Sequence, residues 1–448
     1  MAKLRTATAL GICAFLGIAW TCAPILPGQG LHPDAASANA HPRPLKERLI
    51  PEHFPPQPTL TPSLSIPVEP LGFSPPGAIY LGARNTLASL DFIGEDKLLF
   101  TFRVPGLLHR DGSGGEGNER QIRAVVLSLP QGSVDAEAVW TVHDRMRYLW
   151  MLKDGHFLVR DRNTLLQGDA GLNLKPFLQF PGPLLWLELD PTQQLLVTDS
   201  HEPVKPSAKP GEAPKPAPAS ASTDADQAAI DSTPETVVRV MRRDSGKVML
   251  ASRVRTTIHL PINADGYIEE LRGQGWSWML NLNYFQGGNQ TLGTVDSRCD
   301  PTSDFLSGQE LLVTACTPDG SDKLVAMTTE GRSLWADQTP SIAIWPELKI
   351  SPDGLRIARE TLGVSRPINA YSPIDSSDIK GQWVTVYDAA TGDLALEAPL
   401  NPPLDSGGNV AISPSSRRVA VLNAGAIQVF ELPPPPPLPS GNGSGHGQ

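Results

Sequence analysis

The sequence predicts an all-β protein: a β-propeller of seven four-stranded blades, with a disordered insertion and Pro-rich termini. Three observations point there. A strand–turn–strand unit recurs along the chain, a second hairpin type interleaves with it, and helical periodicity is nearly absent.

The first unit is clearest at Ile350–Glu360, ISPDGLRIARE. Pro352 presets φ at the second turn position, and Gly354 supplies the positive φ that closes the turn. Ile412–Leu422, ISPSSRRVAVL, matches it position for position, and Leu189–Thr198, LDPTQQLLVT, sets Pro191 under Pro352. Phe305–Thr314 and Phe92–Thr101 keep the spacing and the apolar pattern without the proline. The step from Leu312 to Ile357 is 45 residues, the length of one blade. Tyr148–Asp161, turning at Asp154-Gly155, and Gly266–Leu282 fill the wider steps, which gives seven units. In the second hairpin type, Val384–Ala398 aligns without gaps on Val238–Ser252, Gly392 and Gly246 closing the turns, and Leu324–Ala336 is a shorter version. A four-stranded blade built from one hairpin of each type buries neither face alone, so blades must close into a ring.

The Ser351–Gly354 turn, the hairpin running from Tyr387-Asp388 to Thr391-Gly392, and Arg418–Leu432 resemble bacterial WD40-like propellers, the group that includes the YVTN and quinoprotein-like repeats. The resemblance covers about Ile79 to Leu432 and implies the fold, not a function. The Gly-His and Trp-Asp signatures of eukaryotic WD40 blades are absent.

Along the chain, Lys3 and Arg5 precede an apolar run, Ala7–Trp20, of secretory rather than membrane-spanning length, and Ala38-Asn39-Ala40 offers small residues downstream. Residues 1–40 are read as a signal peptide or an uncleaved N-terminal anchor. The protein is therefore expected to be exported, periplasmic or extracellular, and membrane-tethered only in the second case. Residues 41–77 read as a Pro-rich linker and 78–432 as the propeller. Residues 202–235 carry almost no bulky apolar side chains and read as a disordered low-complexity insertion; 433–448 read as a flexible Pro/Gly-rich tail. Ala78–Gly82, AIYLG, is expected as the outer strand of the last blade, latching the two ends together.

Cys13 and Cys22 lie in the leader, which leaves Cys299 and Cys316. In an exported chain that pair reads as a disulfide, worth about 3 kcal/mol in the chain-entropy model. The alternative is two buried free thiols.

No nucleophile elbow, zinc-protease motif, Walker loop or Rossmann fingerprint occurs, so no catalytic residue, cofactor or metal ligand is assigned. The net charge of −10 and the lack of a Lys/Arg-rich run argue against nucleic-acid binding. His143-Asp144 reads as a loop hydrogen bond. Asn263–Arg272 fails the calcium-loop pattern, because Arg272 stands where a Glu is needed, and Asp265-Gly266 reads instead as a hairpin turn. Arg110–Arg120 reads as a mobile loop. Trp276 and Trp278 are placed on one face of a strand, either as an aromatic binding platform or as inter-blade packing.

Two function classes remain. The first, favoured by the missing motifs, is a monomeric, non-catalytic binding or scaffold module for a protein or cell-envelope partner. The second is a propeller enzyme, lactonase-like or quinoprotein-like, with a channel-mouth site built from several blades and therefore no contiguous motif. Three or more Asp, Glu or His side chains converging in the channel would decide for the second; a channel lined with Ser, Thr and apolar groups would decide for the first.

Overall fold

In the computed structural model the recurring hairpins share one backbone solution. Gly155, Gln193, Gly354 and Ser416 occupy equivalent turn positions, and all four have positive φ. The side chains that open these turns repeat as well. Asp190 Oδ1 accepts from Leu195 N at 2.6 Å, Ser351 Oγ from Arg356 N at 2.9 Å and Ser413 Oγ from Arg418 N at 3.0 Å. At Gly354 (φ +77°) a Cβ would stand 2.2 Å from the Leu306 carbonyl oxygen, so only glycine fits. Gly246, Gly331 and Gly392 close the second hairpin type, again with positive φ. The described residues are 46–47, 56–75, 87–105, 109–110, 118–143, 147–202, 235–254, 258–318, 320–339, 343–344, 347–366, 376–404 and 407–435.

Seven small antiparallel sheets follow in chain order. Blade 1 runs from Ser89–Gly94 to Ser133–Val142, blade 2 from Leu149–Met151 to Leu174–Gln179, and blade 3 from Leu184–Leu189 to Val248–Val254. Blade 4 has three strands between Gly266 and Asp296, and its innermost position is taken by the extended segment 258–262, bridged at Ile262 to Tyr267. Blade 5 spans Thr302–Phe305 to Ser333–Thr339. Blade 6 spans Ala343–Ile344 to Leu394–Leu400, and Leu348–Ile350 pairs on its inner side. Blade 7 spans Val410–Ile412 to Ala426–Glu431.

The core lies between blades, not within them, and its seven buried clusters map one to each interface. Leu99, Ile122 and Trp140 of blade 1 pack on Leu149 and Phe157 of blade 2. Trp150 and Leu158 continue onto Leu187 and Leu196 of blade 3, and Val197 and Val240 onto Ile262. Leu280 and Leu292 meet Leu311 and Val313; Leu312 and Trp335 meet Ile357 and Ala389; Val384 and Leu396 meet Val419 and Phe430. The seventh cluster joins Ala420 and Ile427 of blade 7 to Phe100 and Val125 of blade 1. A chain of clusters that returns to its first blade is a closed ring.

The N-terminal stretch corrects an expectation. The strand that completes blade 7 is Leu64–Pro67, antiparallel to Ala426–Glu431. Ile66, Val68, Leu71 and Phe73 are all buried in the cluster between blades 7 and 1. Upstream, Thr59 N–H donates to the Glu397 carbonyl of blade 6 at 2.9 Å, and Lys46–Glu47 pairs in parallel with the outer strand of blade 5. The described part of the supposed linker 41–77 is thus a strap along the outer edges of three blades. Pro67 is tolerated because an edge strand leaves one row of N–H positions unpaired. The segment expected for this role, Ala78–Gly82, lies outside the described residues. So do the leader 1–40, residues 203–234 of the insertion, residues 436–448 of the tail, and most of the Arg110–Arg120 loop. The insertion sits between Leu195–Glu202 and Glu235–Arg242, which pair in unbroken register.

The disulfide Cys299–Cys316 is formed, with Cα atoms 5.5 Å apart. It ties the entry of the inner hairpin of blade 5 to the end of that hairpin's second strand. Ser297 Oγ braces the bridge, donating to Cys299 O at 2.7 Å and accepting from Cys316 N at 3.0 Å.

Candidate functional site in the channel

One register position of every inner strand converges on the ring axis. It lies two residues before the position that opens the turn: Asp91, Trp150, Glu188, His259, Asp304, Lys349 and Ala411 in blades 1 to 7, His259 lying on the extended segment of blade 4 rather than on a strand. All seven line an open cavity of about 290 Å³, whose rim carries the inner turns at Lys153, Gln193 and Pro352.

Two charged groups occupy this ring. In blades 1, 6 and 7, Lys349 is largely buried. Its Nζ donates to Val410 O at 2.6 Å and Leu90 O at 3.2 Å, and lies 3.6 Å from Asp91 Oδ1 and 3.8 Å from Glu347 Oε2. Burial alone would lower the lysine, but Asp91, Glu347 and Glu360 hold it above its ordinary value. Burial pushes Asp91 up despite that ammonium. With its protons given to two carbonyls of neighbouring blades, Lys349 pins the ring shut.

The second group faces it from blades 3, 4 and 5. Glu188 Oε2 is 3.1 Å from His259 Nδ1. His259 Nε2 donates to Ser303 O at 2.7 Å and lies 3.9 Å from Asp304 Oδ1. One donor atom from each of the three residues lies within 4.8 Å of the others. Burial would push His259 down, but its hydrogen bond to Glu188 and the charges of Glu188 and Asp304 carry it up to about 10. Flanked by Glu188 and Asp304, His259 favours its protonated form. Burial raises Asp304 to about 6, with His259 opposing and Glu188 adding to the rise, although about a third of its side chain stays open to the channel. Asp199, wholly buried beside them, is also raised by burial to about 6; its Oδ2 accepts from Ile258 N at 3.0 Å.

Arg147 stands between the two groups. Its guanidinium stacks on Trp150, 5.6 Å from the ring centroid, and its Nε donates to Leu149 O at 3.3 Å. Its charge lowers both Asp91 and Asp304 against the effect of burial.

The proton on His259 has a thermodynamic signature. The native imidazole keeps it to about pH 10, whereas the ordinary value is 6.5. Its contribution to stability is complete below about pH 6.5 and is lost as the pH rises towards 10. Melting curves at pH 6.5 and at about pH 9.5 should show a larger loss in the wild type than in His259→Gln. Equal losses would mean that the imidazole is not held protonated.

The residues singled out from sequence lie elsewhere. Trp276 and Trp278 do not share a face. Trp276 sits in the turn before Ser277–Tyr284 and is half exposed, whereas Trp278 is buried, donates from Nε1 to Ser297 O at 3.1 Å and lies under Arg272. No two-tryptophan platform forms. His143 Nδ1 pairs with Asp161 at 2.8 Å, and Asp144 lies outside the described residues. Asn263 Oδ1 accepts from the N–H groups of Asp265 and Gly266, the expected hairpin turn. Sequence reasoning missed Asp91, Arg147, Glu188, His259, Asp304 and Lys349. For all but Arg147 the signal lay in the aligned hairpins, two residues upstream of the position that opens each turn.

Fold and cavity together define a seven-bladed β-propeller with a charged central site. No family model and no curated protein matches the chain. Among solved structures it is similar to the acylaminoacyl peptidase of Pyrococcus horikoshii, at 10% identity over 78% of this chain and 52% of that chain, with a TM-score of 0.42. It is also similar to an oligogalacturonate lyase in complex with manganese (13%, 84% and 99%, TM-score 0.45) and to TolB from Acinetobacter baumannii (13%, 74% and 77%, TM-score 0.36). The chain spans about half the length of the peptidase. Similarities at this level carry no argument about the site, which rests on its own geometry.

Proposed function

We propose that this is an exported propeller whose function resides in the channel cavity, as a site for a small anionic ligand or substrate. The observation that carries this reading is the convergence of Glu188, His259 and Asp304, from three successive blades, into an open cavity. That meets the condition set above for the enzyme class and displaces the passive scaffold as first reading. Arg147, over the Trp150 ring and lining the cavity, suits the anionic end of a ligand. The acidic wall opposite suits a cationic or proton-donating end. The disulfide supports export, and the shared turn geometry supports membership of the WD40-like group. The test is a melting-temperature screen against small carboxylates and phosphates. At least one should raise the wild-type midpoint, and Arg147→Gln should abolish the shift while keeping the unliganded midpoint. A panel without effect would remove the anion reading.

A second reading has one observation of its own. On the outer strand of blade 3, Val248, Met249 and Leu250 are consecutive and 39–44% exposed. An apolar edge strand suits pairing with a strand of a protein partner, which would retain the scaffold role for a protein or cell-envelope component.

A further inference from the structure

We propose that Glu188, His259 and Asp304 are the three protein ligands of a divalent-cation site of the zinc class, with its fourth position open to the cavity. The proposal rests on reading the cavity as the functional site, and adds what it holds.

The donor set is one imidazole and two carboxylates. Catalytic zinc sites use three such ligands at about 2.0–2.2 Å and leave one position for water or substrate. Glu188 Oε2 and His259 Nδ1 are 3.1 Å apart. The edge of a tetrahedron with ligands at about 2.1 Å is about 3.4 Å, so these two atoms already stand near a shared-ion spacing. Asp304, with a third of its side chain exposed, offers a carboxylate oxygen within 4.8 Å of the other two donor atoms. The second shell is in place: His259 Nε2–H donates to Ser303 O at 2.7 Å, so Nδ1 is the nitrogen that would face the metal, giving up its proton as the ion binds.

An independent observation points the same way. Glu188 Oε2 is buried, and its close partner is His259 Nδ1 at 3.1 Å. Asp199, wholly buried, leaves its Oδ1 without a donor, and its charge acts on Glu188 and His259. A buried carboxylate oxygen left without a donor is costly, and the negative charge of Asp199 behind the pair favours a cation in the cavity. Glu188 and Asp304 come from strands of separate blades, His259 from the extended segment 258–262 between them, and Asp304 lies on the disulfide-tied hairpin. The site is therefore built on rigid elements, as metal geometry requires.

The test is zinc binding by the purified chain, read by competition with a chromogenic chelator and by metal content after dialysis. One zinc per chain is expected, and Asp304→Asn, a near-isosteric change, should weaken it by at least about 10-fold. Cobalt(II) in its place should give the intense visible bands of a four-coordinate site, lost in His259→Gln. Zinc retention is read with no anion ligand present, so a failed anion screen and a failed metal site are distinguishable, and Asp135→Ala, a surface change, should bind zinc as the wild type does. No zinc retained by the folded wild type, or equal retention by Asp304→Asn and His259→Gln, would overturn the proposal. Equal retention would mark adventitious surface binding.

Discussion

Replacing Phe73 by alanine is expected to cost about 3–5 kcal/mol of stability, and adding Ile66→Ala should cost about 2 kcal/mol or more beyond that. Both residues lie in a stretch whose composition suggests a solvated spacer, where either change would be silent. In the structure Phe73 is buried against Phe100 and Phe102, with ring centroids 5.3 and 5.4 Å away, and Ile66 packs in the same cluster from the strand that completes blade 7. The strap is covalently distant from blade 7, so its contacts are what join the two ends of the ring. The measurement is the urea midpoint. A shift at unchanged slope would show lost packing; a lower slope would show that the ring had opened and already exposed surface before unfolding. An unchanged midpoint would return the segment to the role of spacer.

The second large effect is expected at Asp337, between blades 5 and 6. Its Oδ2 accepts from Tyr387 Oη at 2.7 Å and from Arg359 Nη1 at 3.3 Å, and both charged side chains are almost wholly buried. Arg359 lies over the Tyr387 ring, which stacks on Trp335, whose Nε1 donates to Ala389 O at 2.6 Å. Asp337→Ala removes from the buried Arg359 guanidinium the carboxylate at 3.3 Å and from Tyr387 its acceptor, and breaking such a buried pair typically costs about 3–5 kcal/mol. The comparison is Asp135→Ala, whose partner Lys97 and own side chain are both about 40% exposed. That change should move the midpoint by about 1 kcal/mol or less. Similar effects at the two sites would mean that the inter-blade network is no more than a surface ion pair.

The fold was legible because the turns repeat their chemistry. The strap was hidden by proline count, although Leu64, Ile66 and Val68 alternate with period two; Pro51, Pro55, Pro56 and Pro58 upstream dominate the composition. The Trp276 assignment failed for a local reason. Gly275 turns at φ +65°, so the strand begins at Ser277, one residue too late for both tryptophans to share it. The charged channel was unreadable as a motif because each blade contributes a single side chain. Glu188 to His259 and His259 to Asp304 are separated by whole blades, and only the ring brings them together. The repeat alignment nevertheless contained their register, since Lys349 before Ser351, Glu188 before Asp190 and Ala411 before Ser413 are the same position.

The channel, not the outer surface, is proposed as the place where the protein acts. The most direct measurement is mass spectrometry of what denaturation releases from wild-type and from Arg147→Gln, Asp304→Asn protein, both purified natively from the same cells. The account predicts a small molecule or metal ion released near stoichiometry from the wild type and missing from the variant. A protein partner recovered equally with both, and no small species from either, would contradict it and restore the scaffold.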